Sequence, residues 1–412
     1  MKKFLIISVL ALALFSCNKE NKMSKGKETQ INLIEVPINT VSSQTPNFFS
    51  NNENLYLSWI ETESTENSET NFLKFALLKN NRWQNPQTIS KGNNWFVNWA
   101  DFPTLAVSPD GWMASHWLAK SNEGTYDYNV NISVSDSGGV NWKTPFIPHI
   151  DTLPAEYGFV SMMPQKDKMM AVWLDGRFTK DDSVANGGAM TLRTAAFDST
   201  GTISDEMLLD DRICDCCQTD LTQSDLGTFV VYRDRTENEI RDIYFMKKTG
   251  RKWSKPKAVF TDKWKISGCP VNGPAIASLN KSVAVSWFSA PEGEAKVKVA
   301  FFNEKGNAFE PPFIISEHQP LGRVDVVLVN ENTAWVSWLE TKGDNASIKL
   351  AEVDRENGVL WQTDLIDTSA ARSSGFPIME KLGNNIWFTW TKVESPDIKK
   401  ITTGYISLDN EI

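Results

Sequence analysis

Short apolar runs that end in an aromatic residue recur along this chain, and each is followed by residues alternating between polar and apolar. They are Leu55 to Trp59, Met113 to Trp117, Met169 to Trp173, Thr228 to Tyr232, Val283 to Trp287, Ala334 to Trp338 and Ile386 to Trp390. The closing aromatics lie 58, 56, 59, 55, 51 and 52 residues apart. Alternation with a period of two is the mark of a strand, and an interval of this length holds four short strands with their turns.

The units parse further. Another short strand precedes each aromatic-ended one, commonly near a proline, as in Phe102-Pro103-Thr104-Leu105 and Phe376-Pro377-Ile378-Met379. An alternating third strand follows, such as Lys296-Val297-Lys298-Val299-Ala300-Phe301, and then a turn and a fourth strand. The seventh unit stops after its third strand, and residues 30–37 can supply the missing fourth. Pairing the two chain ends in this way leaves no open sheet edge. The pattern predicts an all-β, seven-bladed β-propeller as one domain over 30–412, with six blades as the alternative.

Ahead of the repeats, Lys2 and Lys3, an apolar run to Phe15, and Ser16-Cys17 form a charged region, a hydrophobic region and a small residue before cysteine. The apolar run is too short to cross a bilayer as a helix, which takes about 20 residues. Leu14-Phe15-Ser16-Cys17 resembles a bacterial lipobox. The resemblance implies a signal peptide over 1–16, lipidation of Cys17 and a tether over 17–29. Asn18 is not the aspartate of an inner-membrane retention signal, so an outer-membrane lipoprotein facing the periplasm or the exterior is expected. The formal charge of −9 argues against nucleic acid as a partner. A monomer is expected.

A second pattern places an aromatic after a polar, glycine-containing turn: Trp83, Trp142, Trp253, Phe309 and Trp361. Its clearest copy is Ser135-Asp136-Ser137-Gly138-Gly139-Val140-Asn141-Trp142. It resembles the Asp box of the sialidase (BNR repeat) superfamily, with Ser137 in place of the aspartate and Asn141 in place of the threonine. The box is a structural hairpin. The resemblance implies a propeller and, at its mouth, a carboxylate-gripping arginine set with an acidic sugar as ligand. The chain departs from that family in lacking the early Arg-Ile-Pro phrase and a tyrosine well placed after the last arginine, and sialidases have six blades.

In a propeller, the connections after the second strand and before the first strand emerge on one face. In this chain they carry Arg177, Arg212, Arg233, Arg235, Arg323 and Arg372 with Asp101, Asp175 and Asp234, whereas lysine dominates elsewhere. Guanidinium groups suit bidentate recognition of carboxylate, sulfate or phosphate. The arginines are candidates for gripping an acidic glycan or another anion, and the aspartates for acid/base work. The alternatives are salt bridges between blades, and a non-catalytic lipoprotein that binds an anionic ligand or partner.

Four further cysteines stand in two consecutive connections of the same kind, Cys214, Cys216 and Cys217 in one and Cys269 in the next. In an oxidising compartment two disulfides are the simplest expectation. Copper or zinc held by the thiolates is the other reading; no other cofactor is expected.

Overall fold

The computed structural model describes residues 30–40, 42–180, 183 and 188–411. The signal segment, Cys17, the tether and Gly187 lie outside the described residues. No described helix is long and apolar enough to cross a membrane.

Ser42–Ser50, Leu55–Ser64 and Glu69–Lys79 pair antiparallel in chain order, and Arg82–Trp83 with Gln87–Gly92 complete the group. The same up-and-down order restarts at Leu105–Val107, Tyr157–Gln165, Asp220–Ser224, Ala275–Leu279, Pro320–Leu328 and Ile378–Leu382. In the second group the fourth edge is reduced to single bridges, Ser135 with Trp142 and Ile132 with Phe146. The last group ends on Lys399–Ser407, and Asn32–Ile34 lies antiparallel against it with Asn32 opposite Tyr405. Thr403 fastens this pairing, donating to the Ile34 carbonyl at 2.7 Å and accepting the Trp83 indole N–H at 2.8 Å.

The opening strand of each group touches that of the next, and Ile378–Leu382 returns to Ser42–Ser50. All of them border one cavity of about 1080 Å³. Side chains tie neighbouring openers together. Asp220 accepts the Ile276 N–H at 2.8 Å, Asp325 that of Met379 at 2.5 Å, and the Ser161 hydroxyl donates to the Thr219 carbonyl at 2.7 Å. The inner edge of an opener has no strand partner, so these groups satisfy donors and acceptors that burial would leave bare. The molecule is all-β and propeller-like.

The aromatic anchors fill the space between groups. Trp59, Trp173, Tyr232, Trp287 and Trp338 are 0% exposed, and a buried indole N–H needs an acceptor. Trp59 donates to Glu61 at 2.9 Å, Trp173 to Asp175 at 2.9 Å and Trp338 to Glu340 at 3.1 Å, each two residues further on. A base on a neighbouring segment balances each carboxylate: Lys74 at 2.7 Å, Arg177 at 2.7 Å and Lys349 at 3.6 Å. Trp287 uses Asp262 at 2.8 Å, itself paired with Lys298.

The turn at Ser135 to Trp142 folds as its sequence implies. Gly138 and Gly139 take φ of 91° and 70°, Asn141 donates to Asp136 at 2.9 Å, and Trp142 packs edge-on against Phe75.

Candidate functional site

The connection leading into Leu105–Val107 crosses the mouth of the central cavity. Trp99 stacks on Phe376 with centroids 5.8 Å apart, and Phe102 also meets Phe376. The Ala100 carbonyl accepts Gln218 Nε2 at 2.5 Å, and Gln218 Oε1 in turn accepts the Gly273 N–H at 2.9 Å. One short segment thus contacts connections from opposite sides of the ring, and its aromatics join a buried cluster with Phe159, Leu174 and Tyr232. Sequence alone presents Trp99 as one more aromatic; its place as a plug depends on residues more than two hundred positions away.

The candidate arginines do different work, and Arg323 is the one that meets the plug. Arg323, 6% exposed, lies over the Trp99 ring at 4.8 Å, and its Nη1 donates to the Ala371 and Gly375 carbonyls and the Ser374 hydroxyl. No carboxylate pairs with it among the described residues. Burial, and then the charge of nearby Arg372, push its pKa down to about 10. Arg372 is exposed, and neither its side chain nor the half-buried guanidinium of Arg212 has an ion pair among the described residues. Arg235 is held by Asp215 at 2.9 Å and Glu239 at 2.8 Å.

Two of the expected ligand-binding arginines are instead part of the frame. Arg233 is 1% exposed, lies over Trp264 at 4.9 Å and donates to the carbonyls of Asn272, Arg241 and Phe288. Arg177 is consumed by Asp175, Asp151 at 3.3 Å and Glu206 at 3.2 Å.

The aspartates expected to perform acid/base chemistry fare similarly. Asp175 is 0% exposed and saturated by Trp173 and Arg177, because the anchor indole needs its oxygen. The phrase Trp-x-Asp or Trp-x-Glu carried that signal in the sequence. Asp101 is 3% exposed; it accepts the Phe159 N–H at 2.7 Å, where φ is +52°, and its other oxygen lacks a hydrogen-bond partner. Burial raises its carboxyl well above the usual range, and the charge of Glu156 adds to this. Asp234 is raised to about 7, first by burial and then by Asp210.

Beside Asp101, Tyr128 donates to Glu156 at 2.8 Å, and burial lifts Glu156 to about 7. Phe96 stacks on Tyr128 at 4.2 Å and leaves it 1% exposed.

No disulfide joins Cys214, Cys216, Cys217 and Cys269 in this structure. The backbone turns between Ile213 and Gln218 so that the three sulfurs face one another. Cys214 Sγ lies 3.5 Å from Cys217 Sγ and 3.9 Å from Cys216 Sγ. Cys269, exposed on the next connection, reaches Cys216. The guanidinium of Arg241 donates to Cys214 Sγ at 3.2 Å. Hydrogen bonds from Cys216 and Cys217, with the charge of Arg241, hold the Cys214 thiol well below its ordinary value. Arg241 lies in the long connection between Arg233 and Ile243, and nothing local in the sequence singles it out.

No protein-family model matches the chain, and no curated protein matches it. Solved structures do. The polysaccharide lyase Uly1 superposes with a TM-score of 0.55 at 8% identity, covering 96% of each chain. A PL25 ulvan lyase bound to -[GlcA(1-4)Rha3S]- superposes at 0.52 with 10% identity, over 92% of this chain and 95% of its own. The Hadza microbial sialidase Hz136 reaches 0.43 over 73% of this chain, too distant to support kinship. At these identities the lyases speak for the fold: a propeller of the kind found among carbohydrate-active proteins. The link to the BNR superfamily rests on Ser135 to Trp142 alone.

Proposed function

We propose that this protein is a seven-bladed propeller, closed by Asn32–Ile34, that binds an acidic glycan at the plugged mouth. The observation that carries the reading is Arg372, an exposed guanidinium with no ion pair among the described residues, whose charge adds to that of buried Arg323 close by. An exposed guanidinium without an ion pair suits carboxylate or sulfate. The -[GlcA(1-4)Rha3S]- bound to the ulvan lyase carries uronate and sulfate groups, and a ligand of that chemistry suits this rim.

Binding without turnover is the form of this reading that the geometry favours, because Asp101 and Asp175 are sequestered and Tyr128 is covered. The sequence of the first 17 residues supports lipidation at Cys17 and an outer-membrane place, where such a rim meets extracellular polymers. Calorimetric titration of the purified chain with uronate-containing and sulfated oligosaccharides tests the proposal. Binding that Arg372→Ala weakens at least tenfold supports it. Equal affinity for neutral and acidic oligosaccharides, or none for either, refutes it. Release of reducing ends or unsaturated uronate would replace the binder by an enzyme.

A further inference from the structure

The thiols at Ile213 to Gln218 are the strongest chemistry on this molecule that glycan recognition does not use. We propose that Cys214, Cys216 and Cys217, joined by Cys269, form a thiolate site for a thiophilic d10 cation, copper(I) or zinc. The three sulfur atoms of the first connection all lie within 4.8 Å of one another. A metal–sulfur bond of about 2.3 Å sets sulfur-to-sulfur edges of about 3.8 Å in a tetrahedral site and about 4.0 Å in a trigonal one. The 3.5 and 3.9 Å separations about Cys214 lie near those edges. A disulfide, in contrast, needs about 2.05 Å.

The adjacency of Cys216 and Cys217 in sequence does not turn them apart, since both sulfurs approach Cys214. Cys269, on the following connection, interacts with Cys216 but stands outside the group of three sulfurs, so it is the ligand that would have to close in. Soft thiolates select copper(I) and zinc over hard cations. Three or four thiolates around one such cation leave a net negative charge, and Arg241, donating to Cys214 Sγ at 3.2 Å, is placed to offset it. Glu239 fixes that guanidinium from its other side at 2.8 Å. A cation held here ties two consecutive connections of the ring together, close to where Gly273 packs on the Gln218 main chain. Occupancy is therefore expected to stabilise the fold by mass action.

The test uses the purified chain, reduced, freed of metal with a chelator and titrated anaerobically with copper(I) in one arm and zinc in another. After desalting, elemental analysis is expected to find one cation per chain. At least three thiols become unreactive toward a disulfide reagent, and the melting temperature rises. Cys214→Ser is expected to weaken retention at least a hundredfold. Cys269→Ser alters an exposed residue, leaves the circular dichroism spectrum unchanged, and weakens zinc more than copper(I) because it removes the fourth ligand. A folded, fully reduced chain that retains neither cation overturns the proposal, as does unchanged affinity in both variants. A native chain with two intramolecular disulfides that holds no cation after reduction overturns it equally.

Discussion

The guanidinium of Arg323 lies 4.8 Å above the indole of Trp99, although Arg323 belongs to the opening strand Pro320–Leu328 and Trp99 to the connection before Leu105–Val107, on opposite arcs of the ring. Cation–π contact of this kind contributes about 0.5–2 kcal/mol. Here it also holds the plug in the mouth, since Arg323 is anchored by three acceptors between Ala371 and Gly375.

Trp99→Ala is expected to lower stability by about 2 kcal/mol, less than a fully buried tryptophan because Trp99 is half-buried. Arg372→Ala, at an exposed position, is expected to stay within about 0.5 kcal/mol of the parent. Urea denaturation of both variants beside the glycan titration separates the two roles. A large loss of stability in Arg372→Ala would show a structural arginine in place of a ligand-binding one.

Arg233 feeds four hydrogen bonds to main-chain carbonyls of Asn272, Arg241 and Phe288. Arg233→Ala leaves those acceptors bare and opens a cavity beside Trp264, a loss of about 3 kcal/mol or more. Chemical denaturation measures it, and an unchanged midpoint would contradict the role of Arg233 as a strut.

Removing residues up to Pro37 deletes the strand opposite Thr403 to Tyr405 and exposes an edge of the last sheet. The truncated chain is expected to melt at a lower temperature and to aggregate more readily, as differential scanning calorimetry and light scattering would show. Unaltered melting would mean that closure by the chain ends contributes nothing.

The cavity wall carries acids whose folded pKa is raised. Burial brings Asp220 and Glu380 to about 7, as it does Glu156 at the rim. The folded state therefore holds these protons more tightly than the unfolded chain, whose carboxyls titrate near 4. Their stabilising effect is fully present below about pH 4 and is lost as pH rises toward 7. Stability is expected to fall between pH 5 and 7.5, and Glu380→Gln is expected to recover about 1 kcal/mol of that fall, a value reduced for water in the cavity. Denaturation midpoints across this range check the sign; a midpoint that rises with pH would refute it.

Strand order and the pairing of the two chain ends are legible along the chain before any folding is considered. Alternating polarity, the interval between aromatic anchors and the leftover strand at the front are local or periodic signals, and Asn32–Ile34 lies where the missing strand was expected. Strand direction also leads one to expect the rare arginines and cysteines on one rim, because it fixes the end at which each connection emerges. Packing alone assigns the work of each of those residues. Asp175 and Arg177 look like a free pair in sequence, yet a buried indole claims the first and the first claims the second. Arg372 looks no different from Arg233 or Arg323, but which guanidinium is buried against carbonyls and which is left exposed without an ion pair depends on segments far apart in the chain. The meeting of three sulfurs with Arg241 is likewise a matter of backbone turns and long-range contacts, which no spacing encodes.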